Sequence, residues 1–144
     1  MTQPTTAPHN LQRFVDAQAH VFPQVLSELG AGRKRSHWMW FIFPQIAGLG
    51  SSDTARRYAI SGRQEAEAYL HHPVLGPRLR QCTELVNHVT GRAIEEIFGY
   101  PDDLKFRSSV TLFAAVAPSE EVFSEALAKY FSGEPDSATL ALLR

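Results

Sequence analysis

The sequence predicts an all-α fold: a compact single domain of about seven short helices, with at most a minor β element. Three observations predict it. Apolar residues recur at three- and four-residue spacings, capping residues stand ahead of those runs, and glycine or proline punctuates their ends. Only Trp38 to Phe43 has the length and aromatic content of a buried strand, and a helix apolar all round fits it equally well.

Residues 1–10 read as a loosely attached lead, and residues 11–144 as the helical domain. Asn10 is a suitable N-cap for a first helix whose stripe runs through Leu11, Phe14, Gln18, Val21, Phe22, Val25 and Leu29. Pro23 should kink or split that helix, and Gly30 and Gly32 end it. Gln18 falls on the apolar stripe, where a buried amide needs partners and suits a hydrogen-bond strut. Pro44 closes the aromatic run, and Ser52 is placed to cap a helix from Asp53 to Ile60.

Ser61 is placed to cap the next helix, Gly62 to His71. Pro73 then suits the first turn of a helix carrying Leu75, Leu79, Cys82, Val86 and Val89. After Gly91 a short helix holds Ile94, Ile97 and Phe98. Asp102 and Asp103 favour the start of another, with Phe106, Val110, Phe113 and Val116 inward. Ser119 opens a helix that ends at Gly133, and Ala138 to Leu143 form a last helical piece.

Composition removes several function classes. The chain has 144 residues, 44% of them hydrophobic, which suffices for a core without metal or disulfide. One cysteine forbids an intrachain disulfide and fits a reducing, cytoplasmic setting. Met1 to Asn10 has no secretory-signal pattern, and no apolar run approaches the ~20 residues of a membrane span. A net charge of −1 disfavours nucleic acid as partner. No phosphate-loop, dinucleotide or zinc-protease motif is present, and Gly48-Leu49-Gly50 is a turn signal. His71 and His72 are adjacent, not four apart, so they read as a solvated pair and no metal site is expected. Cys82 lies on a buried stripe and reads as a small hydrophobe, not a nucleophile.

The informative segment is Arg33-Lys34-Arg35-Ser36-His37-Trp38, continuing through Met39 and Trp40. Arginine grips phosphate through two parallel bonds, lysine adds a point charge, and tryptophan offers a stacking face. Histidine beside them supplies a proton donor near neutral pH. These six residues are therefore candidate ligand contacts for a phosphorylated small molecule or nucleotide. The competing reading makes the aromatics core and the cations a solvated lead-in to it. A second candidate lies on the helix after Pro101. Asp102, Lys105 and Ser109 align at helical spacing with Ser108 nearby, and with His37 they are the candidate catalytic residues. The competing reading there is dipole compensation, a local ion pair and solvated serines.

The block from Gly32 to Gln45, then Gly48-Leu49-Gly50, resembles the signature of a mainly bacterial family catalogued as domain of unknown function 1810. Its members are sometimes mislabelled calpastatin, a label that nothing in this chain supports. Further matches are Arg13 to Gln18, Tyr58-Ala59-Ile60, His72 to Gly76, Ile97-Phe98-Gly99, Pro101-Asp102-Asp103 and Ser108 to Phe113. Phe106 and Val110 stand where the pattern suggests Leu and Met. The resemblance implies a compact, mainly helical fold and assigns no reaction or cofactor. The order of elements is also faintly similar to hydrolases associated with NAD and ADP-ribose, which makes ADP-ribose- or NAD-like molecules the first ligands to test. The alternative function is a protein-interaction module that uses the same basic-aromatic segment. Oligomeric state is not legible.

Overall fold

Periodic apolar runs separated by glycine and proline give ten helices among the described residues of this computed structural model, residues 9–144. They are α1 (Gln12–Gln18), α2 (Phe22–Gly30), α3 (Met39–Ile42), α4 (Asp53–Arg57), α5 (Arg63–His71), α6 (Leu75–His88), α7 (Ile94–Phe98), α8 (Asp102–Val116), α9 (Glu121–Phe131) and α10 (Ser137–Leu143). Residues 1–8, most of the expected lead, lie outside the described residues.

The all-α expectation holds, with more helices than expected for definite reasons. The first stripe splits: α1 ends at Gln18, and α2 restarts with Pro23 in its first turn, where proline's missing N–H is harmless. Asn10 does not cap α1; Leu11 occupies that position with no side-chain bond. Trp38 to Phe43 contains the four-residue helix α3, not a strand. The minor β element is one parallel bridge between Ile46 and Ile60. Ser52 caps α4 as expected, accepting the Ala55 N–H at 3.1 Å, but α4 stops at Arg57. At α5 the cap position is Gly62, while Ser61 donates its N–H to Glu65 at 2.7 Å. His72 is no solvated bystander: its Nδ1 accepts the Val74 and Leu75 N–H groups at the start of α6.

The core gathers around α6 and α8. Helix α8 packs against α5, α7, α9 and α10, and α6 against α2, α5 and α9. Gly76 marks the tightest approach, because a Cβ there would sit 2.1 Å from the Leu70 carbonyl oxygen. Gln18 is the expected strut. Its Nε2 donates to Phe41 O at 2.7 Å, and its Oε1 accepts from Arg78 at 3.2 Å. An aromatic cluster of Phe43, Phe98 and Phe106 joins the α3 segment to α7 and α8. No helix among the described residues is long and apolar enough to cross a membrane.

Candidate functional site

The basic-aromatic run leaves α2 as an extended segment, and extended backbone turns successive side chains to opposite sides. Lys34, Ser36 and Trp38 turn inward, while Arg33, Arg35 and His37 are exposed. The inward side is organised by one residue, Glu28, only 6% exposed. Its carboxylate accepts the Arg35 N–H (2.8 Å), the Ser36 N–H (3.1 Å), the Ser36 hydroxyl (2.6 Å) and the Trp38 indole N–H (2.9 Å). Burial alone would raise its pKa. The bonds from Ser36, Arg35 and Trp38 outweigh that and hold it at about 2. Lys34 donates its own N–H to Ile97 O at 2.7 Å and sends its ammonium to Asp102 at 2.9 Å, over the Trp38 ring.

The six candidate ligand residues thus divide between two sides of the run. Lys34, Ser36 and Trp38 are spent on internal contacts, and Trp38 is 1% exposed. Only Arg33, Arg35 and His37 face outward. Arg33 borders a separate polar hollow with Arg92, Glu95 and Glu96.

The candidate catalytic residues on α8 differ in their access to solvent. Asp102 and Lys105 do meet, at 3.4 Å. Ser109 is fully buried, and its hydroxyl has no hydrogen-bond partner among the described residues, so it cannot act on an external molecule. Ser108 is buried too, donating to Leu104 O at 3.2 Å. The Arg33–Trp38 and Asp102–Ser109 segments touch through Lys34 and Asp102, while Arg33 and Lys34 border one hollow and Lys105 and Ser108 another.

The concave surface lies beside Trp40, which is half-buried and not the core residue that the run suggests. One cleft of about 490 Å³ runs between Trp40, Gln45, Gly50, Arg56 and Tyr58. A second, of about 360 Å³, adjoins it and is lined by His37, Trp40, Asp53, Arg57 and Tyr58. Trp40 and Tyr58 belong to both. Tyr58 is held by Phe41 at 5.4 Å and Phe14 at 5.8 Å between ring centroids.

The far wall is fixed by three local devices. The Ile46–Ile60 bridge pins the Gln45–Gly50 loop beside α4, with the Ile60 N–H on Gln45 O at 2.8 Å. Arg13 clamps the chain after α4 by donating to the carbonyls of Arg57 (2.7 Å) and Ala59 (2.8 Å), and pairs with Glu65 at 3.0 Å. Gly50 permits the close approach of loop and helix, because a Cβ there would lie 2.5 Å from that of Ala55.

Three cations and an imidazole border the indole's surroundings: Arg56, Arg57 and His37 line the clefts it shares, and the Lys105 ammonium lies 4.8 Å from the Trp40 ring centroid. Among the described residues Arg56 is partnered only by exposed Asp53 at 3.3 Å, an ion pair of little strength in water. Arg56, Arg57 and Tyr58 carry no recognisable motif, so single-sequence reading passes over them; the fold alone brings them to Trp40. Glu28 had a signal. A carboxylate in the last turn of a helix opposes the dipole and calls for an explanation.

A family model described as Protein of unknown function (DUF1810) matches residues 8–143. The chain is similar to the crystal structure of the conserved hypothetical protein Rv1873 from Mycobacterium tuberculosis, at 60% identity and a TM-score of 0.93. That match covers 94% of this chain and 97% of the other. No curated protein matches the chain.

Proposed function

From the premise that this chain belongs to the family described as Protein of unknown function (DUF1810), we propose that it binds a phosphorylated small molecule bearing an aromatic ring, nucleotide-like in class. One observation carries the reading: Trp40 and Tyr58 form a half-exposed aromatic wall shared by two adjoining clefts, with His37, Arg56 and Arg57 at its edges. The ring lies along that wall, and the guanidinium groups take the phosphate. The larger cleft falls within the ~300–1,000 Å³ typical of small-molecule sites. The reading keeps His37 from the sequence-based set and moves the remaining contacts to α3 and α4.

An interaction module built on the same run has less support, because its Trp38, Met39, Ile42 and Phe43 are buried.

A thermal-shift screen with nucleotides, NAD, ADP-ribose and sugar phosphates tests the proposal. A ligand at a hundredfold excess over its Kd should stabilise the fold by about 2.7 kcal/mol. Trp40→Ala should weaken that ligand by about 1–3 kcal/mol, roughly five- to 150-fold. Arg57→Ala should also reduce the shift, while Arg35→Ala, outside both clefts, should leave it unchanged. If no anionic member of the panel raises the melting temperature, the proposal fails.

A further inference from the structure

The groove does not end at the aromatic wall. A third cleft, of about 250 Å³, adjoins the 490 Å³ cleft and shares Gln45 and Gly50 with it. Its walls include Pro101, Leu104, Lys105 and Asp136. The concave surface thus passes from His37 and Arg57, across Trp40, to Lys105. Cations stand at both ends with an aromatic face between them.

Lys105 has capacity to spare. Its only ion-pair partner among the described residues is Asp102, at 3.4 Å, and Asp102 holds Lys34 more closely, at 2.9 Å. The ammonium has three donors, so part of it is uncommitted beside the indole. Asp136 sets a limit at this end. Its Oδ2 accepts from the Thr139 N–H (3.0 Å) and the Thr139 hydroxyl (2.6 Å), and shares the Ser108 hydroxyl proton (3.3 Å) with Leu104 O. The carboxylate therefore serves its own helix cap. Its charge still opposes a run of phosphates and leaves Lys105 suited to a single one.

We infer that the molecule occupying this groove carries two separate phosphates, one toward each end of the groove, as in a nucleoside phosphorylated at both the 3′ and 5′ hydroxyls of its sugar. This rests on the nucleotide-like reading above and narrows it. One phosphate meets Arg57 and His37, the ring lies against Trp40, and the second phosphate meets Lys105. Asp136 and the chain's net charge of −1 argue against a long polyanionic strand in the same groove.

Isothermal titration with the 5′-monophosphates and the 3′,5′-bisphosphates of adenosine, guanosine, cytidine and uridine tests this. For the nucleoside that binds, the bisphosphate should be at least tenfold tighter than the monophosphate. Lys105→Met, which keeps an unbranched stem beside Trp40, should remove that advantage and bring the two affinities within twofold of each other. Lys105→Gln repeats the test with a polar stem. Arg57→Ala should weaken both ligands. Equal affinities in the parent protein, or an advantage that survives both Lys105 variants, overturn the two-phosphate inference and leave the nucleotide-like reading standing. Failure of all eight probes to bind overturns the two-phosphate inference, and the wider thermal-shift panel then decides the nucleotide-like reading.

Discussion

Glu28→Gln is expected to lower stability by about 3 kcal/mol and the melting temperature by roughly 10 °C. The carboxylate accepts four donors from the Arg35–Trp38 segment, and an amide returns an N–H where an acceptor is needed. At least one buried donor is then left unpaired, and the approach of Arg35 and Ser36 to α2 loosens with it.

The pH dependence should agree with this in sign and size. Glu28 titrates at about 2 in the folded chain, below its ordinary 4.5. Its contribution is therefore complete above pH 4.5 and is lost as pH falls from there toward 2. A shift of this extent corresponds to about 3 kcal/mol. Urea unfolding between pH 2 and 6 should show the parent losing that increment while Glu28→Gln does not. Equal pH slopes in the two proteins would mean that the carboxylate is not the group that orders the run.

Phe106→Ala should be the costliest single truncation proposed here, at about 3–5 kcal/mol. Phe106 is fully buried on α8. It stacks on Phe98 at 4.9 Å and meets Phe43 edge-on at 5.0 Å, with Phe131 at 6.3 Å. Removing the ring opens a cavity where α7, α8 and the end of the α3 segment converge, and rigid neighbours cannot close it fully. Phe106→Leu should cost about 1–2 kcal/mol, because most of the volume remains. Leu104→Ala is the control: its side chain is 46% exposed, and the change should stay within about 0.5 kcal/mol. Urea midpoints at unchanged slope give all three values. A Phe106→Ala cost below that of Phe106→Leu would contradict the packing described.

Helix class and most helix positions were legible because they depend on local spacing. The stripes of α2, α6 and α9, the Ser52 cap and the Pro23 restart all appear within a few residues of sequence. The α3 segment was not, since six apolar residues contain no polar face to reveal their period. The site was legible only in part. Arg33 to Trp38 stood out by residue type, but which of its side chains face outward depends on Glu28, which lies in another element. Arg56, Arg57 and Tyr58 needed the bridge to Ile46 and the clamp from Arg13 before their position beside Trp40 had meaning. Ser109 shows the opposite limit: helical spacing aligned it with Asp102 and Lys105, yet spacing does not report depth.

Cys82 gives the fold a property separate from any ligand. It is the chain's single cysteine, fully buried on α6, and burial raises its thiol to about 12. Alkylating reagents attack the thiolate, so in the folded chain they lack both access and the reactive species. Labelling must wait for α6 to part from α2, α5 and α9. The rate of single-site alkylation is then an internal clock for opening of the core, readable by mass alone in the unmodified protein.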